Sequence, residues 1–379
     1  MRSGLSRTEI QGRVRELVDA LFTNIPSGVG SHRKDLKLGR EEERRVFVKG
    51  ARWAIERGFG SAEDLEHIEE RGCIGGADPD SVSEKAMERG RAQLGTLGSG
   101  NHFVEVGYVA EIYDENAAQM MGLRKDQVTV FVHTGSRGLG HQVCDDYIRV
   151  MLDAAKKYKI ELPDPQLCCA PVSSPEGQRY LEAMACAANF AFTNRQMITH
   201  WVRETFGRVF KKGPKDLQLG LIYDVCHNIA KIETHTVNGA KKKLCVHRKG
   251  ATRAFPPGHP DVPMDYRSIG QPVLIPGDMG RYSYVLVGTQ RAMEETFGST
   301  CHGAGRVMSR HQAMKAAKGR AISRELEDKG IIVRGASRGT IVEEIPEAYK
   351  DVQDVVNVVQ HAGISRKVVK LVPMGVIKG

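Results

Sequence analysis

One long helical pattern constrains the fold of this 379-residue chain more than any other feature. From Glu176 to about Phe210 no proline interrupts the pattern. Small residues within it would let neighbouring elements pack closely against a helix, and these are Ala183, Ala185, Ala187, Ala188 and Ala191. The segment therefore predicts a long central helix that is largely buried.

Shorter helices and several strands are predicted around this segment. Helical patterns, the first of them capped by Ser6 or Thr8, lie at residues 8–22, 41–57, 141–158 and 348–362. Strand patterns lie at residues 128–133, 219–225, 272–277, 283–288, 330–336 and 368–377. Gly- and Ser-rich stretches predict mainly loops at 24–38 and 70–101, and residues 163–175 predict a linker. Because strands and helices are mixed without a strict βαβ rhythm, we expect an α+β (mixed α/β) fold in one large domain, residues 1–379.

The charge balance favours a polyanionic partner. The net charge is +9, and two basic clusters, Lys241 to Lys243 and His247 to Lys249, strengthen the case for nucleic acid. Eight cysteines without a CxxC pair, behind an N-terminus with no apolar leader, predict reduced thiols in a cytoplasmic protein. No apolar run reaches the roughly 18 residues that a membrane span needs.

Four histidines share a sequence context. Three of the four histidines at positions 102, 133, 227 and 302 follow an apolar run or a glycine turn, and small or polar residues come after His133, His227 and His302. Imidazoles at strand ends that point into one pocket are typical of a metal site. The alternative is that each histidine separately caps a strand or forms a hydrogen bond in the core.

His302 stands apart because it lies in the bare loop GSTCHGAGR, residues 298–306. Glycines occur where a bulky group must approach the backbone closely. The chain has no P-loop, no complete GxGxxG, no HExxH and no KxDG motif, so any nucleotide chemistry needs another nucleophile. A neutral imidazole attacks phosphorus competently, which makes His302 the candidate. We also expect Arg137, Arg248, Lys249 and Arg306 to line a phosphate-binding groove.

These residues lie in segments with a specific resemblance. The matching segments are GSGNHFVEV, VFVHTGSRGLGHQV, NFAFTNRQMITHWVRE, YDVCHNIAK, VHRKGATRAFPPG, FGSTCHGAGR, AYKDVQDVV and PMGVIKG. In this order, and over essentially the whole chain, the sequence resembles the RtcB family of tRNA-splicing RNA ligases. That family joins RNA ends bearing a 2′,3′-cyclic phosphate or 3′-phosphate to a 5′-hydroxyl, using GTP and two manganese ions.

The resemblance implies a role for individual residues. His302 would attack GTP and carry GMP, and manganese would be bound by His102, His133 and His227. The nucleotide would be contacted by Asn101, Phe103, Glu105, Ser283, Gly303, Ala304, Gly305, Tyr349 and Lys378. The implied partners are RNA, such as tRNA halves, and an archease-like activator.

The chain departs from the family pattern in two places. Asp278 lies where some members have a serine, and the chain begins after a D-x-x-C-G element whose aspartate and cysteine complete the manganese site. We therefore expect the ligase domain to be incomplete at its N-terminus. Two other functions stay open: a non-catalytic RNA-binding protein, and a metal phosphoesterase that opens cyclic phosphates without ligating.

Overall fold

A computed structural model describes residues 1–33, 36 and 38–379. Its helices are α1 (Arg7–Ile10), α2 (Val14–Asn24), α3 (Arg40–Lys49), α4 (Ala51–Glu56), α5 (Ala62–Glu66), α6 (Glu84–Arg91), α7 (Glu115–Met120), α8 (Arg137–Lys157), α9 (Pro175–Phe210), α10 (Pro214–Leu217), α11 (Gln290–Thr296), α12 (Arg310–Ala316), α13 (Ile322–Glu327), α14 (Arg338–Glu343) and α15 (Val352–His361). Its strands are β1 (Arg2–Ser6), β2 (Phe103–Ile112), β3 (Gln127–His133), β4 (Asn228–Val237), β5 (Ala240–Lys249), β6 (Ala251–Arg253), β7 (Pro272–Ile275), β8 (Ser283–Gly288), β9 (Ser299–Cys301), β10 (Ile332–Gly335) and β11 (Ser365–Lys378). The mixed α+β class is confirmed.

Helix α9 is the long helix that the sequence predicts. Ser174 caps it by accepting a hydrogen bond from the Gly177 amide at 3.1 Å, and Pro175 occupies its first turn, where no amide proton is needed. It is about 54 Å long at 1.5 Å per residue. Helices α2, α3, α4 and α8 pack against it, and its buried face includes Phe190, Phe192 and Trp201. The prediction of a central buried helix is confirmed.

The main sheet is organised around β11. Its strand order is β1-β3-β2-β11-β8-β7, and β10 also pairs with β11. All of these pairs are antiparallel except β10–β11. The register pairs Phe103 with both Lys378 and His133. The start of β2 and the ends of β3 and β11 therefore lie side by side at one end of the sheet.

Several elements differ from the expectations. The predicted helix 41–57 is divided at Gly50, whose φ is 56° and where a Cβ would lie 2.0 Å from the Gly72 carbonyl oxygen. The helix at 8–22 is divided by a 3₁₀ turn at Gln11–Arg13, and the predicted loop 70–101 contains α6. The strand prediction for 219–225 was wrong, since this segment forms only isolated bridges at Gly220 and Asp224. Part of the predicted loop 24–38 lies outside the described residues.

The β4–β5 hairpin was not predicted. Its strands pair from Asn228 and Lys249 at the base to Val237 and Ala240 at the tip. Asn238 and Gly239 form the two-residue turn with φ values of 52° and 78°. Both residues therefore adopt the left-handed conformation that tight hairpins favour.

Along the described residues, no helix combines the length and apolar character that crossing a membrane requires.

Candidate active site

Three of the four singled-out histidines converge on one point. His133 ends β3, His227 immediately precedes β4 and His302 immediately follows β9. One ring nitrogen from each lies within 4.8 Å of the other two. The Nε2 atoms of His133 and His227 are 3.3 Å apart, while the rings of His227 and His302 stack with centroids 3.7 Å apart. The structure thus brings these three histidines together, and metal binding by them stays a prediction.

Backbone hydrogen bonds fix two of these histidines relative to each other. The Gly250 amide donates to the His227 carbonyl oxygen at 3.0 Å, and the His302 amide donates to the Gly250 carbonyl oxygen at 3.2 Å. Gly250 follows β5 directly, so the base of the β4–β5 hairpin connects the loops that carry His227 and His302.

His102 lies beside this group rather than within it. Its ring centroid is 5.8 Å from that of His133, and its Nδ1 is 3.4 Å from Nη1 of Arg137. The sequence predicted a ligand set of His102, His133 and His227, whereas the tightest group contains His302 in place of His102.

Burial keeps all four imidazoles neutral near pH 7. It lowers the pKa of His102 to about 3, with Arg137 adding to the effect, and that of His227 to about 4, with Arg195 contributing. Burial, reinforced by His227 and Lys249, lowers the pKa of His302 to about 3, and the pKa of His133 lies well below its usual value for the same main reason. Neutral imidazole is the form that binds metal ions and attacks phosphorus. The donor set therefore fits a divalent cation.

His302 has no hydrogen-bond partner for either ring nitrogen among the described residues. Such a buried, unpaired polar group is costly unless a ligand or ion satisfies it. The ring borders two cavities. One is lined mainly by apolar side chains, with Arg195 and Asp224 also in its wall. The other is a more polar cleft on the side of Gly303 to Gly305. His302 is thus accessible to two different occupants.

Arg137 is a buried cation that faces the histidines. It begins α8 with φ 58°, and a Cβ on Gly98 would lie 1.7 Å from its Nη1, so only glycine leaves room for the guanidinium. Its Nε lies 3.3 Å from Thr96 Oγ1, and no carboxylate pairs with it in the described part of the chain. Burial lowers its pKa to about 10, so it stays charged at pH 7. An uncompensated cation at this position fits an anionic ligand.

The polar cleft collects the residues that the family resemblance singled out. It measures about 350 Å³ and is lined, besides His302, by Asn101, Phe103, Glu105, Gly303, Ala304, Gly305, Tyr349 and Lys378. Ser283 lies behind the wall, where its hydroxyl donates to Glu105 at 3.2 Å. The structure therefore brings all of these predicted residues to one place. Asp278 and Arg310 also line the cleft.

Glu344 is a component of the cleft that sequence reasoning missed. This buried carboxylate accepts from Arg306 Nη1 at 3.0 Å and from the Tyr349 hydroxyl, and lies 3.6 Å from Lys378 Nζ. Burial lowers the pKa of Lys378, and Glu344 opposes that shift. The sequence does not distinguish Glu344 from its acidic neighbour Glu343, because contacts with Arg306, Tyr349 and Lys378 form only when the chain folds.

The predicted phosphate groove needs one correction. Arg248 is fully buried and forms a bidentate ion pair with Glu233 at 2.6 and 2.9 Å, so it is not available to RNA. Arg306 lines the cleft, but its guanidinium already contacts Glu344. Lys249 remains exposed.

Glu105 gives a pH prediction. Burial, reinforced by Asp278, raises its pKa to about 8 although Ser283 and Lys378 oppose the shift. A raised pKa in the folded state means that the neutral form is favoured, and stability is lost as pH rises from the unfolded value near 4.5 through 8. We expect Glu105→Gln to remove this loss, so that the variant gains stability relative to the unchanged protein between pH 5 and about 8. Urea unfolding at several pH values measures it, and a constant difference across that range would contradict the assignment.

Comparison with known proteins identifies the family. The family model described as tRNA-splicing ligase RtcB matches residues 1–379. Curated tRNA-splicing ligase RtcB proteins from Archaeoglobus fulgidus, Methanococcus maripaludis and Methanocaldococcus jannaschii are 56, 54 and 55% identical to this chain over its whole length. The chain spans 78, 79 and 39% of their respective lengths. It therefore belongs to the RtcB family of tRNA-splicing ligases, as the resemblance implied.

Proposed function

We propose that this chain is a GTP- and manganese-dependent RNA ligase that joins 2′,3′-cyclic phosphate or 3′-phosphate ends to 5′-hydroxyl ends. The observation that carries the proposal is His302, a half-buried, neutral imidazole whose two ring nitrogens are shielded and unpaired among the described residues, next to a cleft lined by glycines. Family membership supports the same reaction.

In the first step, a ring nitrogen of His302 attacks the α-phosphorus of GTP and pyrophosphate leaves. The neutral ring needs no base to free its lone pair, because its pKa is already far below 7. Gly303, Ala304 and Gly305 add almost no side-chain bulk around the ring, which lets the phosphate approach. At a cyclic end, water first breaks the bond from phosphorus to the 2′ oxygen and leaves a 3′-phosphate. The GMP then moves from His302 to this 3′-phosphate, and the 5′-hydroxyl attacks the activated phosphorus, releases GMP and forms the phosphodiester.

Two buried cations are suited to the charge that develops on phosphorus. Arg137 approaches from the side of the histidine group and Lys378 from the polar cleft, and both are held in place by neighbouring residues. Fixed cations in a site from which water is excluded stabilise a transition state more than mobile ones do. Glu344 holds Lys378 and Arg306 and so serves as a positioning residue.

Manganese would be held by His102, His133 and His227, whose neutral imidazoles suit a divalent ion. When bound, it would neutralise charge at the transferring phosphorus. Asn101, Phe103, Glu105, Ser283 and Tyr349 would surround the guanine nucleotide. We further propose a cytoplasmic location and an archease-like activator, as in the family resemblance.

The alternatives are less well supported. A non-catalytic RNA-binding protein has no use for an imidazole whose shielded ring nitrogens are both unpaired. A phosphoesterase that only opens cyclic phosphates needs the metal site, but it does not need a cleft of about 350 Å³ beside the nucleophile. The family match favours ligation over both.

Covalent labelling tests the proposal. Incubation with manganese and GTP labelled at the α-phosphate is expected to label the protein on His302, with an adduct that acid hydrolyses and alkali does not, as for a phosphoramidate. GTP labelled at the γ-phosphate is the control and is expected to leave no label, since pyrophosphate departs. A stable adduct on another residue, or none in the presence of manganese, would contradict the mechanism.

A further inference from the structure

The β4–β5 hairpin presents a basic surface that the proposed chemistry does not use. Side chains alternate between the two faces of a strand. The register therefore places Lys241, Lys243, His247 and Lys249 on one face, which we call the basic face. All four are exposed. Their same-face neighbours on β4 include Thr234 and Thr236, and no acidic residue shares this face.

The opposite face of the hairpin is already occupied. There Arg248 pairs with Glu233, Lys231 donates to Glu69 at 2.6 Å, and His235 contacts Glu233. These buried ion pairs fix the orientation of the hairpin and determine which lysines remain outside. In the described part of the chain, Lys241, Lys243 and Lys249 form no ion pair.

The basic face leads directly to His302. Lys249 is followed by Gly250, whose backbone bonds to both His227 and His302. Lys249 is close enough to contribute to the lowered pKa of His302 and of His227. From Lys241 to Lys249 the strand covers about 27 Å, with a side chain on this face about every 7 Å.

We propose that the basic face binds the backbone of single-stranded RNA and directs its end towards His302. This inference rests on the proposed ligase function. A row of exposed lysines without acidic partners suits a phosphate backbone, and the sugar-phosphate charges supply most of the affinity in such binding. A single strand is the expected form because the RNA end must reach the shielded ring nitrogens of half-buried His302. Ile232, which is 51% exposed on the same face, adds apolar surface between the cations.

The test is the salt dependence of binding to a single-stranded RNA oligonucleotide with a 3′-phosphate. Fluorescence anisotropy at several salt concentrations gives the slope of log affinity against log salt. For Lys241→Gln with Lys243→Gln, we expect this slope to flatten by up to about 1.4, since each neutralised phosphate contributes about 0.7 for single strands. Neither lysine belongs to the proposed catalytic site, so covalent labelling by GTP without RNA should be unchanged.

Two controls separate the basic face from net charge. Lys211→Gln with Lys215→Gln removes the same charge from exposed positions beyond the far end of α9 and should leave the slope unchanged. Lys242→Gln removes one charge from the opposite face of β5, and we expect it to flatten the slope by less than half as much as the basic-face double variant does.

The outcomes distinguish this inference from the proposed function. A flattened slope in a protein that GTP does not label would support the RNA surface and reject the ligase mechanism. Normal labelling with an unchanged slope, or equal flattening in the Lys211 and Lys215 control, would overturn the RNA surface. An unchanged slope for RNA together with lost binding to an acidic protein would also overturn it, and would assign the face to that partner.

Discussion

Replacing His302 by alanine is expected to abolish covalent GMP transfer while leaving manganese affinity nearly unchanged. The ring is the proposed nucleophile, and losing a nucleophile lowers the rate of its step by at least about 10⁴-fold. Manganese would remain bound by the other histidines. Single-turnover labelling with GTP measures the first effect, and calorimetric titration with manganese measures the second.

The matched variant is His133→Ala, which removes a proposed ligand from the same group. We expect it to weaken manganese binding by at least about 100-fold, because even residues that only support a ligand contribute 10- to 100-fold. Since the nitrogens of His133, His227 and His302 lie within 4.8 Å of one another, the structure also permits His302 to be a ligand. Equal losses of manganese affinity in both variants would assign that role to His302 and require another nucleophile.

Replacing Glu69 by glutamine is expected to cost about 3–5 kcal/mol of unfolding free energy, the range for removing one partner of a buried ion pair. Glu69 is 1% exposed, accepts from Lys231 at 2.6 Å and from the Cys226 amide at 2.7 Å, and lies 3.6 Å from Arg253. The variant would leave two buried cations short of negative charge. Urea unfolding measures the loss.

Glu70→Gln is the control for this prediction. Glu70 contacts the same two cations, but its side chain is 38% exposed, so water compensates and the expected loss is below about 1 kcal/mol. Similar losses in the two variants would show that burial does not govern this cluster.

The same carboxylate predicts how stability depends on pH. Burial alone would raise the pKa of Glu69, but Lys231 and Arg253 more than reverse this and lower it to about 2. A depressed pKa stabilises the folded state above the unfolded value near 4.5, and the contribution is lost as pH falls from there towards 2. The stability difference between the unchanged protein and Glu69→Gln should therefore shrink over that range. A difference that stays constant down to pH 2 would contradict the assignment.

Local sequence patterns predicted the helices and strands whose formation depends mainly on residues within the same segment. Helix α9, which has no proline after its first residue, and the apolar strands β3, β8 and β11 were found because their patterns are complete within the segment. The segment 219–225 has an equally apolar pattern, yet it is not a strand, because its backbone meets only single partners at Gly220 and Asp224. The hairpin does carry one local signal, because Asn238-Gly239 strongly favours a two-residue turn. Its charged strand β5 hid the alternation.

The site was predicted by residue type and by family resemblance, but its geometry depends on contacts between distant residues. The resemblance named His302 and Lys378, and the structure places both at one cleft. It could not show that Glu344 holds Lys378, or that Glu233 removes Arg248 from the surface. Each of these ion pairs joins residues that are neighbours only after folding.

The position of β11 has a consequence for synthesis on the ribosome. This strand supplies Lys378 and pairs with β2, which precedes it by about 260 residues, as well as with β8 and β10. Until residues 365–378 have emerged, β2 and β8 lack a shared neighbour and Phe103 has no cation opposite it. Helix α9 and the elements packed on it have by then been available for well over a hundred residues of translation. The nascent protein thus acquires α9 and the helices packed on it early, and the cleft beside His302 is completed only after β11 has emerged.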